Sequence, residues 1–216
     1  DALTCSWEGF YDPDGHSDES SLAWTLDGEE LGTDPTLIGG YAKGDEVICT
    51  VTPYDDEEEG EPISASIVIG NTAPEMSSVD LTPTDPQTDD TLSLAVDGWD
   101  LDDDSLSYEV TWIVNGSPTT ASGTELEGEI WFDKDDEVLA SVRPYDGDDY
   151  GDPMESETIT ILNTAPTAPE VEISPDPAED DNDLVCSVST ESSDDDSDTV
   201  SYTFTWTQDG VPYSGA

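Results

Sequence analysis

Apolar and polar residues alternate along Ser107–Val114, placing Tyr108, Val110, Trp112 and Val114 on one face. A strand repeats every two residues, so such a segment buries one face and wets the other. Asn115-Gly116 follows at once, a dipeptide that tolerates the positive φ angles of a tight hairpin turn. The same reading predicts strands over Ser78–Leu81, Thr91–Val96, Glu137–Val142 and Glu155–Leu162. No stretch of useful length carries a helical period. The chain is therefore expected to be all-β.

The pattern recurs. Asn71-Thr72-Ala73-Pro74 returns as Asn163-Thr164-Ala165-Pro166, an offset of 92 residues (71 to 163). The stretch from Lys43 to Asp55 matches that from Lys134 to Asp146, and Asp27-Gly28 and Asp209-Gly210 stand where Asn115-Gly116 does. Three repeats are expected: 1–70, lacking its first strand; 71–162, complete; and 163–216, the first half only. A unit of roughly 90–100 residues is the size of one immunoglobulin-type sandwich.

Trp24, Trp112 and Trp206 each stand three residues before a hairpin turn. Together with Cys5 and Cys49, this resembles the immunoglobulin pattern, in which a strand-C Trp packs on a disulfide joining strands B and F. The resemblance extends to immunoglobulin-like and cadherin-like tandem repeats of large prokaryotic surface proteins. It implies tandem immunoglobulin-like β-sandwich repeats with Cys5 on strand B bridged to Cys49 on strand F; two buried free thiols are the alternative. The second repeat has Leu94 and Ala140 at those two places, and the third has Cys186 on strand B. Antibody domains carry a Tyr two residues before the second Cys; Val47 stands there instead.

Charge changes the picture most. Asp and Glu number 55 against three basic residues, a net charge of −52 in 216 residues. Such a surface repels nucleic acid phosphates and anionic lipids and attracts cations. Hydrophobic residues make up only 33% of the chain, but six Trp, eight Tyr and three Phe argue against disorder. No apolar run approaches the ~20 residues of a membrane span.

The acids gather between strands B and C and between strands F and G, loops that share one end of such a sandwich. The candidate cation ligands are Asp97, Asp100, Asp102 and Asp104 with Asp146 and Asp148 in the second repeat. Their counterparts are Asp12, Asp14, Asp18, Asp55 and Asp56 in the first, and Asp194, Asp196 and Asp198 in the third. The linker residues Asn71 and Asn163 should meet them at the repeat junctions. Crowded carboxylates repel, and Ca²⁺, which accepts six to eight oxygens from flexible loops, relieves that repulsion. Mg²⁺ demands stricter geometry, and Zn²⁺ favours His or Cys, of which these loops offer only His16. The other reading is a solvated acidic face adapted to high salt.

No catalytic Ser/His/Asp or Cys/His arrangement and no phosphate-cradling Gly loop is present. Paired carboxylates could hydrolyse glycosides, but an active site is normally built once and these acids recur. Asn115-Gly116-Ser117 fits a glycosylation sequon, although the hairpin turn explains it more simply. The expected role is structural and non-enzymatic: an extracellular or cell-surface rod or filament whose partners are further copies of the repeat. The alternatives are an adhesive module for glycans or cell-surface proteins, with Trp7, Trp99 and Trp131 as candidate contacts, and a spacer in a larger secreted enzyme.

Overall fold

The computed structural model describes residues 2–213. Its contacts divide the chain into two units: Asp1–Glu75, Gly98–Ser107 and Pro144–Asp152 form unit 1; Met76–Asp97, Tyr108–Arg143 and Pro153–Ala216 form unit 2. These units cut across the repeat boundaries expected at 70 and 162.

Unit 1 contains β1 (Ala2–Thr4), β2 (Ser21–Leu26), β3 (Glu29–Gly32), β4 (Thr36–Ile38), β5 (Glu46–Thr52) and β6 (Ile63–Val68). Strand β1 pairs with β4, and a second antiparallel sheet runs β3-β2-β5-β6. Alternation buries Val47, Cys49 and Val51 of β5 against Leu22, Trp24 and Leu37. Trp24 lies directly across from Cys49 in the β2–β5 register, and its indole N–H donates to the Asp34 carbonyl at 2.9 Å. The disulfide joins Cys5 to Cys49. Cys5 falls one residue beyond β1 rather than within a strand, but its N–H still donates to the Pro35 carbonyl, prolonging the β1–β4 pairing.

Unit 2 holds all but the end residues of β7 (Glu75–Thr82), β8 (Thr91–Trp99) and β9 (Ser107–Val114), and the whole of β10 (Ser117–Pro118), β11 (Glu125–Glu127) and the single helical turn α1 (Gly128–Trp131). It continues with β12 (Glu137–Tyr145), up to Arg143, and with β13 (Met154–Glu155), β14 (Ile159–Thr160), β15 (Glu170–Ser174), β16 (Val185–Thr190), β17 (Thr207–Gln208) and β18 (Val211–Pro212). One sheet runs β11-β8-β7; the other runs β10-β9-β12-β13, with β14 also on β12. This is the strand order of an immunoglobulin-type sandwich, A, B and E facing C, F and G. Val79, Leu81, Leu92, Leu94 and Leu126 from the first sheet meet Trp112, Val138, Ala140 and Val142 from the second. Full burial of one such aliphatic side chain contributes about 1.5–3 kcal/mol, so this shared core joins the sheets. Leu94 and Ala140, at the places of the cysteine pair, are both inside it. The segment from residue 163 onward contributes two separate strand pairs, β15–β16 and β17–β18.

All three hairpin dipeptides adopt positive φ at both positions: 51° and 85° at Asp27-Gly28, 50° and 73° at Asn115-Gly116, 50° and 80° at Asp209-Gly210. Strand C keeps its expected bounds. Strands A, B and F extend beyond theirs, to Glu75–Thr82, Thr91–Trp99 and Glu137–Tyr145. The continuous strand expected at Glu155–Leu162 is instead broken into β13 and β14. Ser156 causes the break: its hydroxyl accepts the Ala140 N–H at 3.0 Å and donates to the Glu157 carbonyl at 2.9 Å, displacing the regular ladder. Among the described residues no helix is long and apolar enough to cross a membrane.

Candidate metal centre

Three acidic loops share one backbone conformation. In the loop after β8, Asp100 Oδ1 accepts the N–H groups of Asp102 at 2.8 Å and Asp104 at 3.2 Å. Asp194 Oδ1 does the same for Asp196 and Asp198, at 3.1 and 3.0 Å. Asp12 accepts from Asp14 at 3.0 Å through one oxygen and from His16 at 2.6 Å through the other. The residue three beyond the leading acid is left-handed each time: Gly15, Asp103 and Ser197, at φ 85°, 60° and 59°. Aspartate suits this role because its short side chain mimics a turn of backbone. The loops after β12 and β5 are built alike. Asp146 Oδ1 accepts from Asp148 and Asp149, both at 2.7 Å, and Asp55 Oδ1 accepts from Glu57 and Glu58 at 2.9 and 2.7 Å.

Within unit 1 the linker meets two of these loops. The Asn71 amide donates to Asp146 at 2.9 Å and to Asp149 at 3.0 Å, and the Thr72 N–H donates to Asp102 Oδ2 at 2.7 Å. Pro74 is fully buried; a Cβ on Gly151 would stand 2.0 Å from its carbonyl oxygen, so only glycine lets these segments approach this closely. Lys43 Nζ lies 2.7 Å from Asp104 Oδ2 and 2.6 Å from Asp148 Oδ2. Unit 2 holds a matching set: the Thr164 N–H donates to Asp196 at 2.6 Å, and Lys134 Nζ reaches Asp198 at 2.6 Å and Asn163 Oδ1 at 3.2 Å.

The carboxylates respond to these neighbours. The Asn71 amide, the Asp149 and Asp148 N–H groups and the Lys43 charge outweigh burial and hold Asp146 down at about 2. Asp12 and Asp55 are also lowered, chiefly by the backbone N–H groups they accept. Hydrogen bonds to Asp104 and then Asp148 raise Lys43, and a bond to Asp198 raises Lys134.

Among the described residues, three sets of side chains bring one potential ligand atom each within 4.8 Å of one another: Asp100, Asp102 and Asp104; Asp194, Asp196 and Asp198; and Asp12, His16 and Asp55. Asp97, Asp14, Asp18 and Asp56 stand outside these groups. Asp97, Asp14 and Asp56 are solvent-exposed, and Asp18 is occupied by Trp7 and Ser20. Asp146 and Asp148 are instead tied to Asn71 and Lys43. Of the candidate contact aromatics, Trp7 and Trp99 are exposed, whereas Trp131 packs on the unit 2 core. Sequence reasoning missed the lysines, although two of only three basic residues recur at matching places.

The first set fits a hard cation. Asp100 is 9% exposed, and its Oδ2 is buried without a hydrogen-bond partner, as is Asn71 Oδ1. Polar atoms so placed cost free energy unless something positive meets them. Oxygen-only donors suit Ca²⁺ or Mg²⁺. The set containing His16 offers a softer ligand, but both Asp12 oxygens already accept backbone N–H groups.

No protein-family model and no curated protein matches the chain. Among solved structures, fibronectin(III)-like modules of Clostridium thermocellum CbhA are 17% identical, covering 66% of this chain and 77% of theirs at a TM-score of 0.30. The chicken CNTN1 FN1–FN3 domains are 15% identical, covering 74% of this chain and 59% of theirs at 0.29. An amphioxus IgVJ-C2 molecule is 14% identical, covering 74% and 96% at 0.33. With TM-scores this low the likenesses carry no argument; the immunoglobulin-like sandwich rests on the strand order and shared core described above.

Proposed function

We propose that this chain is an extracellular structural segment of tandem immunoglobulin-like repeats, divided at 1–70, 71–162 and 163–216. Its acidic loops bind Ca²⁺ and so stiffen the array into a rod or filament. One observation carries the reading: the bare, buried oxygen of Asp100, grouped with the carboxylates of Asp102 and Asp104, with a second bare oxygen on Asn71 of the linker whose next residue, Thr72, donates to Asp102. Asp100 Oδ2, Asn71 Oδ1 and the two neighbouring carboxylates would hold the ion, water completing its six to eight oxygens. A divalent ion there neutralises acids that otherwise repel and ties the linker to the loop after β8. The Cys5–Cys49 bridge supports an oxidising compartment. The role is non-enzymatic, since the acids recur with the repeat.

Calorimetric titration of the chelator-treated chain with Ca²⁺ tests the site, and electron microscopy of native material with and without Ca²⁺ tests the assembly. Saturable heat at a defined stoichiometry and straight rods in Ca²⁺ are expected. Featureless dilution heats or compact particles at every Ca²⁺ concentration would sink the proposal. Exposed Trp99 and Leu101, flanking Asp100, favour a second reading as a glycan- or protein-binding surface. Glycan binding abolished by Trp99→Ala but indifferent to Ca²⁺ would move that reading to first place.

A further inference from the structure

A lysine in a chain of net charge −52 meets acids almost anywhere, so one ion pair would mean little. Recurrence is what distinguishes Lys43 and Lys134. They stand 91 residues apart (43 to 134), in the turns before β5 and β12. Each reaches the acid four residues beyond the leading Asp of a moulded loop: Asp104 beyond Asp100, and Asp198 beyond Asp194. The Nζ–Oδ2 distances are 2.7 and 2.6 Å, and the lysine side chains are 29% and 27% exposed. The accompanying bond recurs as well, Thr72 to Asp102 and Thr164 to Asp196. Lys43 further joins two loops, because Asp148 belongs to the loop after β12 while Asp104 belongs to the loop after β8.

We propose that Lys43 and Lys134 are resident cations of the acidic loops, ammonium groups that hold them closed with no metal bound. Lysine suits the task, since its compact charge on a flexible stem satisfies single oxygens from two directions where arginine would present a planar fork. A covalently attached counter-ion cannot be diluted or chelated away, so the backbone mould persists at low divalent concentration. The inference stands apart from the calcium reading and would survive its failure.

Amide hydrogen exchange on the full chain in excess chelator tests it. The probes are the N–H groups of Asp102, Asp104, Asp148 and Asp149 for Lys43, and those of Asp196 and Asp198 for Lys134. Wild-type loops should be protected. Lys43→Gln should speed exchange at the first set about tenfold, the size two partly exposed ion pairs support, and leave the second set unchanged. Lys134→Gln should do the reverse. The proposal is overturned if wild-type loop amides already exchange at unstructured rates in chelator, or if Lys43→Gln exchanges like wild type. Should Lys43→Gln also loosen the β5 core, a double-mutant cycle with Asp148→Asn decides: coupling between the two supports the lock, and additive effects overturn it.

Discussion

Replacing Asp100 by Asn should reverse the order of stability between calcium and chelator. Asparagine keeps an oxygen to accept the Asp102 and Asp104 N–H groups, so the loop retains its shape. It removes one negative charge and converts the bare, buried Oδ2 into an amide that satisfies itself more easily. In chelator, the variant should match or exceed wild type, because one of three crowded carboxylates is gone. With calcium at a hundred times the dissociation constant, wild type gains about 2.7 kcal/mol. For a unit of this size that is a rise of roughly 10–20 °C in melting temperature. A variant whose affinity falls about a hundredfold gains only ~0.4 kcal/mol under the same conditions. Scanning calorimetry of both proteins, with and without calcium at matched ionic strength, should give melting curves that exchange order. Equal calcium gains in both proteins, or no gain in wild type, would refute the argument.

Other outcomes follow from the same geometry. Reducing the Cys5–Cys49 bridge, which spans a separation of 44 residues, should cost about 4 kcal/mol on the chain-entropy model. Thiol titration of the denatured, unreduced chain should then find Cys186 alone, and three reactive thiols would contradict the bridge. Acid should release the Asn71–Asp146 contact late. Because folding lowers Asp146 to about 2, its contribution is whole above the ordinary aspartate range near 3.8 and is lost as pH falls through about 2. Asp146→Asn should therefore flatten stability against pH between about 4 and 2, measured by denaturant titration; an unchanged slope in that window would count against the assignment.

Much of the sandwich was legible because it depends on local rules. Alternation fixed strand C at Ser107–Val114, and Asn115-Gly116 marked its turn because few other residues accept two positive φ angles. The cysteine pattern was legible beyond its own pair, since Leu94 and Ala140, at the matching positions of the sequence, both lie in the core. The broken strand was not legible, because Ser156 looks like any polar alternate until its hydroxyl is seen taking a backbone acceptor's place. Of the site, the leading acids could be read from clustering and the approach of the Asn71 linker from the recurring junction, but the exact atoms that pair, and the lysines altogether, could not. Asn71 meets Asp146 across 75 residues and Lys43 meets Asp148 across 105, contacts set by packing rather than by spacing.

The shared loop conformation has a bearing on how such a chain can diverge. The leading acid and the backbone it gathers make the mould, leaving the other positions open to exchange. The left-handed residue is Gly15 in one copy, Asp103 in another and Ser197 in the third; the fifth position is His16, Asp104 or Asp198. The fifth residue is held through its backbone N–H, so a carboxylate there could give way to an imidazole in a single codon change with the leading acid's bonds kept. One loop already departs from the all-carboxylate pattern, with His16 Nδ1 3.3 Å from Asp12 and 3.8 Å from Asp55.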